Sequence, residues 1–217
     1  MQMTMFEHPS GSGSESSRMA RSITVQRIFD VVCATLGLFL LSPVFLVLGV
    51  AVRLHDGGPV LYRSQRMGRK GRLFTIYKFR TMVQDADRVG GGLTTSHDSR
   101  ITPPGRILRR YKVDELPQLL NVFKGDMSFV GARPEDPRYV ARYTPEQRRI
   151  LEYRPGITSP ASLRFRDEEK FLTGENPEQF YLTTLLPQKL SMDLEYLTRR
   201  TLVSDLGIIF RTIGGML

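Results

Sequence analysis

The chain has 217 residues, a formal net charge of +9, 41% hydrophobic residues and one cysteine. This length is enough for one domain of ordinary size, and a single cysteine excludes a disulfide within the chain. The basic charge suits an anionic partner such as nucleic acid, anionic lipid or a phosphorylated ligand. Because the sequence has no zinc-finger spacing and no recognisable nucleic-acid-binding motif, we expect no nucleic acid partner.

The first 21 residues are rich in serine and glycine and show no apolar periodicity. We predict a disordered tail over residues 1–21 and exclude it from the fold. The next segment, residues 22–55, is predicted to be a membrane element, because residues 31–52 include no charged side chain. At about 1.5 Å per residue, a helix of that length spans about 30 Å, enough for one straight transmembrane helix. Cys33 lies in this segment, and we interpret it as a small apolar filler.

A Ser42-Pro43 pair stands in the middle of the apolar segment. Proline removes a backbone donor and clashes with the preceding turn, and serine can satisfy a freed carbonyl, so the pair favours a break. Basic residues flank both ends of the segment: Arg18, Arg21 and Arg27 before it, and Arg53, Arg63 and Arg66 after it. Positive charge at both ends is typical of ends that both lie on the cytoplasmic side. The residues alone leave a crossing helix and a re-entrant hairpin as alternatives.

Two strands are predicted next, at residues 60–66 and 73–81, joined by a turn at residues 68–71. Lys78 and Arg80 lie two positions apart, so they belong to the same face of the second strand. Because apolar strand residues adjoin them, we expect both to face a substrate site. Residues 83–99 include three consecutive glycines and are interpreted as a loop, either a plain connection or a lid over the substrate.

Residues 111–134 combine a predicted helix with both signs of charge. Asp114 occupies the expected N-cap position, Pro117 falls in the first turn and Gly125 follows the end of the helix. One apolar face is formed at helical spacing by Leu116, Leu119, Leu120 and Phe123. The segment therefore predicts a helix that begins with two adjacent carboxylates, Asp114 and Glu115.

This acidic pair has two interpretations. An acidic residue at a helix start usually caps the helix or complements its dipole. Here, however, basic residues surround the pair: Arg106, Arg109, Arg110, Lys112, Lys124 and Arg133. Carboxylates among arginines at a helix start suit a phosphorylated substrate with a metal ion. We expect the dipole and the arginines to keep Asp114 ionised at neutral pH.

The C-terminal third carries weaker signals. Thr144 and Gln147 match a capping box at the start of a helix. Residues 164–188 are polar and predict no particular element. Residues 202–217 form an amphipathic helix, which either joins the core or lies in a membrane interface.

Several ordered blocks of the sequence resemble the bacterial sugar transferase family, the monotopic polyprenyl-phosphate phosphoglycosyl transferases. The long block is Asp-Glu-Leu-Pro-Gln-Leu from residue 114, Asn-Val-Phe-Lys-Gly-Asp-Met-Ser-Phe-Val-Gly from residue 121, and then Arg133-Pro134. Shorter blocks are Ser42-Pro43, Tyr77-Lys78-Phe79-Arg80, Arg100-Ile101-Thr102 and Arg154-Pro155-Gly156-Ile157-Thr158. So many blocks in the same order argue against chance, and they cover about residues 22–160.

The resemblance implies an α+β fold that is mostly helical. Its parts are a re-entrant membrane helix over residues 22–55, broken at Ser42-Pro43, a small β-hairpin, and a cytoplasmic catalytic domain over residues 56–217 with interfacial amphipathic helices. Such a protein is monotopic, contacts lipid at the cytoplasmic face of the bacterial inner membrane, and is compatible with a homodimer.

The resemblance also implies an activity. Family members transfer a sugar 1-phosphate from a UDP-sugar to undecaprenyl phosphate and release UMP. This is the first membrane step in making exopolysaccharide, capsule, O-antigen or glycoprotein glycans. Asp114 matches the nucleophile, which forms a covalent phosphoglycosyl-aspartate, and Glu115 matches the residue that binds Mg2+.

Four basic residues complete the predicted site. Lys78, Arg109 and Arg133 match phosphate-side positions of the family, and Arg80 is added from its place on the strand. The rival interpretation is a non-enzymatic membrane anchor whose basic hairpin binds anionic lipid. That alternative leaves the Asp114-Glu115 pair among arginines unexplained.

Overall fold

The computed structural model describes residues 12–86, 98–172 and 176–216. The helices in these ranges are α1 (Ser12–Leu40), α2 (Ser42–Asp56), α3 (Pro103–Arg110), α4 (Leu119–Lys124), α5 (Pro137–Val140), α6 (Pro145–Arg148), α7 (Pro160–Arg164), α8 (Pro177–Phe180), α9 (Leu186–Arg199) and α10 (Leu202–Met216). The strands are β1 (Leu61–Met67), β2 (Leu73–Phe79), β3 (Ser128–Val130) and β4 (Gly156–Thr158). Short 3-10 turns cover Arg69–Gly71, Val113–Gln118, Arg149–Glu152 and Glu168–Lys170, and a π-helical turn covers Tyr181–Leu185. The prediction of a mostly helical α+β fold is confirmed.

The predicted helix break at Ser42-Pro43 is also confirmed. Residues Thr24–Leu40 of α1 and Ser42–Asp56 of α2 meet at 61°. Pro43 lies in the first turn of α2, where its missing N–H costs little. Ser42 Oγ donates a hydrogen bond of 2.7 Å to the Phe39 carbonyl at the end of α1. Among the described residues, no single helix is both long enough and apolar enough to span a membrane. The bent pair reaches the required length and apolar composition only when its two helices are counted together.

The start of α1 differs from the prediction. The helix begins at Ser12, within the stretch 1–21 that we predicted as a tail outside the fold. Once a helix exists, each further residue adds a hydrogen bond at small cost, so a polar stretch can continue it. Residues 1–11 lie outside the described part of the chain, as do residues 87–97 of the loop predicted at 83–99.

Helices α1 and α2 expose much of their apolar surface. The exposed fractions include Phe39 at 76%, Leu40 and Leu46 at 69%, and Leu54 at 79%. One face of α1 is nevertheless fixed to the rest of the chain. Arg27 donates hydrogen bonds of 2.6 Å and 2.8 Å to the last carbonyls of α4, where a cation also complements the helix dipole.

The two sheets are small. Strands β1 and β2 pair antiparallel, from Leu61 opposite Phe79 to Met67 opposite Leu73, which confirms the predicted hairpin with slightly different ends. Strands β3 and β4 pair in parallel. On α1, Asp30 accepts hydrogen bonds from Ser128 Oγ and from the Phe129 N–H of β3, so α1 also holds this second sheet.

Three apolar clusters connect these elements. The largest packs α5, the π-helical turn and α9 together through residues such as Tyr139 and Tyr181. The second joins α1, β2 and α4, and the third joins α2, β2 and α3. Strand β2 therefore lies between the bent helix pair and the segment that carries Asp114.

Two C-terminal helices agree with the sequence-based expectations. Thr144 and Gln147 form the predicted capping box at the start of α6. Helix α10 is amphipathic, because it buries Ile208 and exposes Phe210.

Candidate active site

Asp114 and Glu115 lie in the 3-10 turn Val113–Gln118 rather than at the start of an α-helix. Lys112, with a left-handed φ of 55°, occupies the N-cap position, and α4 begins only at Leu119. The predicted N-cap position of Asp114 is therefore wrong. Upstream, α3 ends at Arg110, and the connection to α4 contains the left-handed Lys112 followed by this tight turn.

The buried face of this segment also differs from the predicted apolar face. Leu119 is buried, but Phe123 is 47% exposed, and Gln118 and Asn121 are buried instead. Asn121 explains the difference, because its amide donates to the Thr75 carbonyl at 2.7 Å and its Oδ1 accepts the Tyr77 N–H at 3.1 Å. This polar side chain fixes the acidic segment to β2, the strand that carries Lys78.

Glu115 is held by two cations. Lys78 Nζ lies 2.9 Å from Glu115 Oε1, and Arg133 donates to both carboxylate oxygens, at 2.6 Å and 3.2 Å. Burial by itself raises the pKa of Glu115. The charges and hydrogen bonds of Arg133 and Lys78 outweigh burial and hold this pKa well below its usual value. Glu115 is therefore a carboxylate at neutral pH.

Asp114 lies in a different environment although it is adjacent in sequence. Its exposed fraction is 7%, and Oδ1 has no hydrogen-bond partner among the described residues. Burial and the negative charge of Glu115 raise the pKa of Asp114, and these effects exceed the opposing influence of Lys78, Arg109 and Lys112. The shift is opposite to that expected from the dipole and the arginines. Asp114 thus presents an unsatisfied carboxylate oxygen inside a set of cations.

The predicted basic residues separate into two groups. Lys78 and Arg133 contact Glu115, and Arg109 lies close enough to Asp114 to affect its pKa while its Nε donates to Thr81 Oγ1 at 2.8 Å. Arg80 is different. It follows the end of β2 at Phe79, and both terminal guanidinium nitrogens bind Asp56, the last residue of α2. Arg80 lines the same cavity as Lys78, and its contact with the substrate stays a prediction.

These side chains line one open cavity of about 1700 Å³. Ligand pockets for small molecules are typically about 300–1,000 Å³, so the space suits a large ligand or two ligands. Further cations line the cavity near the acidic pair: Arg106, Arg110, Lys112 and Arg166. A buried carboxylate oxygen in a basic cavity of this size indicates a site for an anionic substrate.

The sequence comparisons identify the family. A model of the family described as bacterial sugar transferase matches residues 21–217. The chain belongs to the bacterial sugar transferase family. The match includes the bent helix pair from residue 21 onward as well as every side chain that contacts the acidic pair.

Two similar proteins are named for sugar phosphate transfer to undecaprenyl phosphate, and a third is named for exopolysaccharide production. The UDP-glucose:undecaprenyl-phosphate glucose-1-phosphate transferase of Caulobacter vibrioides is 38% identical over 196 residues, which cover 88% of this chain and 69% of the relative. The undecaprenyl-phosphate galactose phosphotransferase of Salmonella typhimurium is 34% identical over 87% of this chain and 39% of its own. The exopolysaccharide production protein ExoY of Sinorhizobium fredii is 34% identical over 87% of this chain and 83% of its own length.

The residues present are compatible with the magnesium ion that the family resemblance implies. Among the described residues, no three His, Cys, Asp or Glu side chains gather around one point. Mg2+ needs fewer protein ligands than that, because it is usually bound by one or two carboxylates together with substrate phosphates and water. Glu115, the predicted ligand, has acceptor positions beyond those that Lys78 and Arg133 use.

Sequence reasoning missed the residues that position the site. Asn121 and Thr81 were not selected, although Asn121 fixes the acidic segment and Thr81 fixes Arg109. Asn121 lies 46 positions from its partner on β2, so no local spacing could reveal the contact. The one available signal was that Asn121 is a polar residue next to the apolar face of the predicted helix, since a polar side chain buried there needs a hydrogen-bond partner.

Proposed function

We propose that this chain transfers a sugar 1-phosphate from a UDP-sugar to undecaprenyl phosphate by way of a covalent bond to Asp114, and that UMP is released. The observation that carries the proposal is the unpartnered, buried oxygen of Asp114 beside a Glu115 held by two cations. Relatives named for glucose, galactose and N-acetylgalactosamine phosphotransfer to undecaprenyl phosphate support the substrate class.

In this mechanism Asp114 Oδ attacks the phosphorus that carries the sugar. The bond from that phosphorus to the UMP oxygen breaks, and UMP leaves with the electron pair. A phosphate oxygen of undecaprenyl phosphate then attacks the same phosphorus, the bond to Asp114 breaks, and the carboxylate is restored. Dividing the reaction in this way lets a soluble donor and a lipid acceptor use the cavity in turn.

The basic residues neutralise charge during both steps. Arg109 and Lys78 lie near Asp114, and the guanidinium of Arg133 offers further N–H donors beyond those bound to Glu115. Such preorganised donors stabilise charge that develops on phosphate oxygens. Glu115 would hold a Mg2+ ion, and the ion would supply additional neutralisation of the diphosphate. We expect excess chelator to abolish turnover and added Mg2+ to restore it; full turnover in chelator would contradict the metal requirement.

The membrane part of the proposal concerns α1 and α2. We propose that this bent pair enters one leaflet of the bacterial inner membrane from the cytoplasmic side and returns, so that the chain is monotopic. The exposed apolar side chains, the 61° bend and the basic flanks support it. In a Cys33→Ser background, single cysteines at Ala20 and at the exposed Arg72 test the topology. Labelling of either by an impermeant reagent outside intact cells would rule out this arrangement.

The test of the reaction is Asp114→Asn. Asparagine keeps the shape of the side chain but removes the nucleophilic carboxylate, so we expect turnover to disappear and folding to persist. Incubation with the UDP-sugar alone should add one sugar phosphate to the wild type, measured by intact-protein mass spectrometry, and none to the variant. Glu195→Gln makes the same oxygen-to-nitrogen change at an exposed position of α9, outside the residues lining the cavity, and should retain the adduct.

Two outcomes would contradict the proposal. An active Asp114→Asn variant, or kinetics that require both substrates to be bound together, would remove Asp114 from the role of nucleophile. No UMP release from any UDP-sugar would instead favour the non-enzymatic membrane anchor. That alternative explains the basic charge but not the arrangement around Glu115.

A further inference from the structure

A second group of charged side chains lies in the same cavity, beyond Arg133. It consists of Glu135, Glu168, Tyr181 and Lys189, which we call the acidic subsite. The Tyr181 hydroxyl donates to Glu135 Oε1, and Lys189 Nζ pairs with Glu168 and lies 3.5 Å from the Tyr181 hydroxyl. The mechanism proposed above uses none of these four residues.

The floor of the acidic subsite is rigid. Tyr181 is 2% exposed and packs against Tyr139 of the largest apolar cluster, with ring centroids 5.4 Å apart. It begins the π-helical turn Tyr181–Leu185, an irregularity that occurs frequently at functional sites. Lys189, eight positions later on α9, is also buried, with 7% exposed. The two carboxylates are therefore held in place by donors that cannot easily move.

The chemistry of the acidic subsite does not suit a phosphate. Two carboxylates accept hydrogen bonds and repel an anion, whereas neutral hydroxyl groups donate to them. A carboxylate has about four acceptor positions, so the contacts with Tyr181 and Lys189 leave capacity on both Glu135 and Glu168. The fitting ligand is a ring that carries several hydroxyl groups.

Resting on the proposed function, we propose that the acidic subsite binds the hydroxyl groups of the donor sugar and sets which sugar is accepted. Arg133 connects it to the reacting end of the cavity. This guanidinium binds Glu115, and the charges of Glu168 and Glu135 act on it as well. The sugar is the part of the donor bonded directly to the phosphorus that Asp114 attacks. The ribose, the other hydroxyl-bearing ring, is separated from that phosphorus by the second phosphate.

The test compares donors that differ in one ring substituent: UDP-glucose, UDP-galactose and UDP-N-acetylgalactosamine. In Glu135→Gln and Glu168→Asp, the ratio of kcat/KM between the best donor and the others should fall about 10-fold to 100-fold, the effect of losing one charge-assisted hydrogen bond. Inhibition by UMP, which lacks the sugar, should stay unchanged. Glu168→Asp keeps a negative charge near the buried Lys189 while withdrawing the oxygens from the cavity.

Glu195→Gln is the matched control. Its side chain is 72% exposed on α9, the helix that carries Lys189, and it should keep the wild-type donor ratios. Equal loss for all three donors in both subsite variants would overturn the inference, because a purely structural role lowers every donor alike. Weaker UMP inhibition with unchanged donor ratios would also overturn it and assign the group to the ribose. A wild type that releases no UMP from any donor would instead refute the proposed function itself.

Discussion

The bent helix pair exposes large apolar side chains, whereas the cavity buries charged ones. On α1 and α2, Phe39 is 76% exposed and Leu54 is 79% exposed, whereas in the cavity the charged Asp114 and Lys189 are each only 7% exposed. Soluble monomers rarely expose a continuous apolar surface of this kind, and buried charges are rare unless they are paired. The two regions therefore differ in what stabilises them.

The comparison teaches where each region is sensitive to substitution. In the cavity Lys78 and Arg133 share the counter-charge of Glu115, so the change of one oxygen to nitrogen removes the partner of both cations. On the outer face of the bent pair, side chains such as Phe39 and Leu54 are more than three-quarters exposed. Changes there should leave folding intact and alter only the surface that we propose meets lipid.

The largest effect is expected for Glu115→Gln. Lys78 and Arg133 would lose their shared counter-charge, so we expect activity to fall at least about 100-fold and the free energy of unfolding to fall by about 1–3 kcal/mol. Because the folded-state pKa of Glu115 lies well below its usual value, the stabilisation is complete above the unfolded pKa and is lost as pH falls through the folded one.

Denaturant unfolding in detergent at pH 7, 5 and 3 measures this effect. The stability difference between wild type and Glu115→Gln should be similar at pH 7 and 5 and smaller at pH 3. Glu195→Gln, the exposed control on α9, should match the wild type at each pH. If Glu115→Gln and wild type have equal stability at pH 7, the ion pairs do not stabilise the fold.

A smaller effect is expected for Gly105→Ala in α3. An added Cβ would lie 2.0 Å from the Thr81 carbonyl oxygen. This oxygen belongs to the backbone, so it cannot move aside as the end of a flexible side chain could. Helix α3 would have to move away from the end of β2, which breaks the contact of Arg109 with Thr81. We expect a loss of about 1–3 kcal/mol in unfolding free energy and reduced kcat/KM.

Gly207→Ala provides the matched control for this substitution. No atom lies within 4 Å of the Cβ that would be added at Gly207 in α10. Alanine in a helix interior is about 0.5–1 kcal/mol more favourable than glycine, so this variant should be slightly stabilised. Equal thermal midpoints for the two variants would show that the approach of α3 to β2 does not limit stability.

The sequence predicted local features better than the contacts that build the site. The break at Ser42-Pro43 follows from the chemistry of those two residues, and the hairpin follows from alternation around a turn. Asp114 is not the helix cap because a 3-10 turn precedes α4, and no motif within the acidic segment distinguished that turn from the first turn of an α-helix. The pairing of Arg80 with Asp56 depends on where β2 ends.

The stretch 164–188 shows the same limit more strongly. Its polar composition predicted no element, yet it contributes Glu168 and Tyr181 to the acidic subsite. Their partners, Lys189 and Glu135, lie 21 and 46 positions away. Pairings of this range are set by the packing of α5 against α9 and not by sequence spacing.

The smallest effect on folding is expected for Phe39→Ser, although it removes a whole aromatic ring. Because the side chain is 76% exposed, the unfolding free energy should change by no more than about 0.5 kcal/mol. Ala34→Ser on the same helix is the matched control. Ala34 is 0% exposed, so this smaller change buries a hydroxyl and should cost about 1–3 kcal/mol.

Binding to vesicles should reverse that order if the bent pair enters a leaflet. The phenyl ring of Phe39 would be buried in lipid, so its removal should weaken partition of the detergent-purified protein into vesicles by about 10-fold or more, as expected for losing about 1.5–3 kcal/mol of apolar burial. Ala34→Ser should leave partition unchanged, because that position faces β2 and α4 rather than the surface. Equal partition of Phe39→Ser and wild type would place the exposed apolar face outside the bilayer, and the difference between the two regions would then need another explanation.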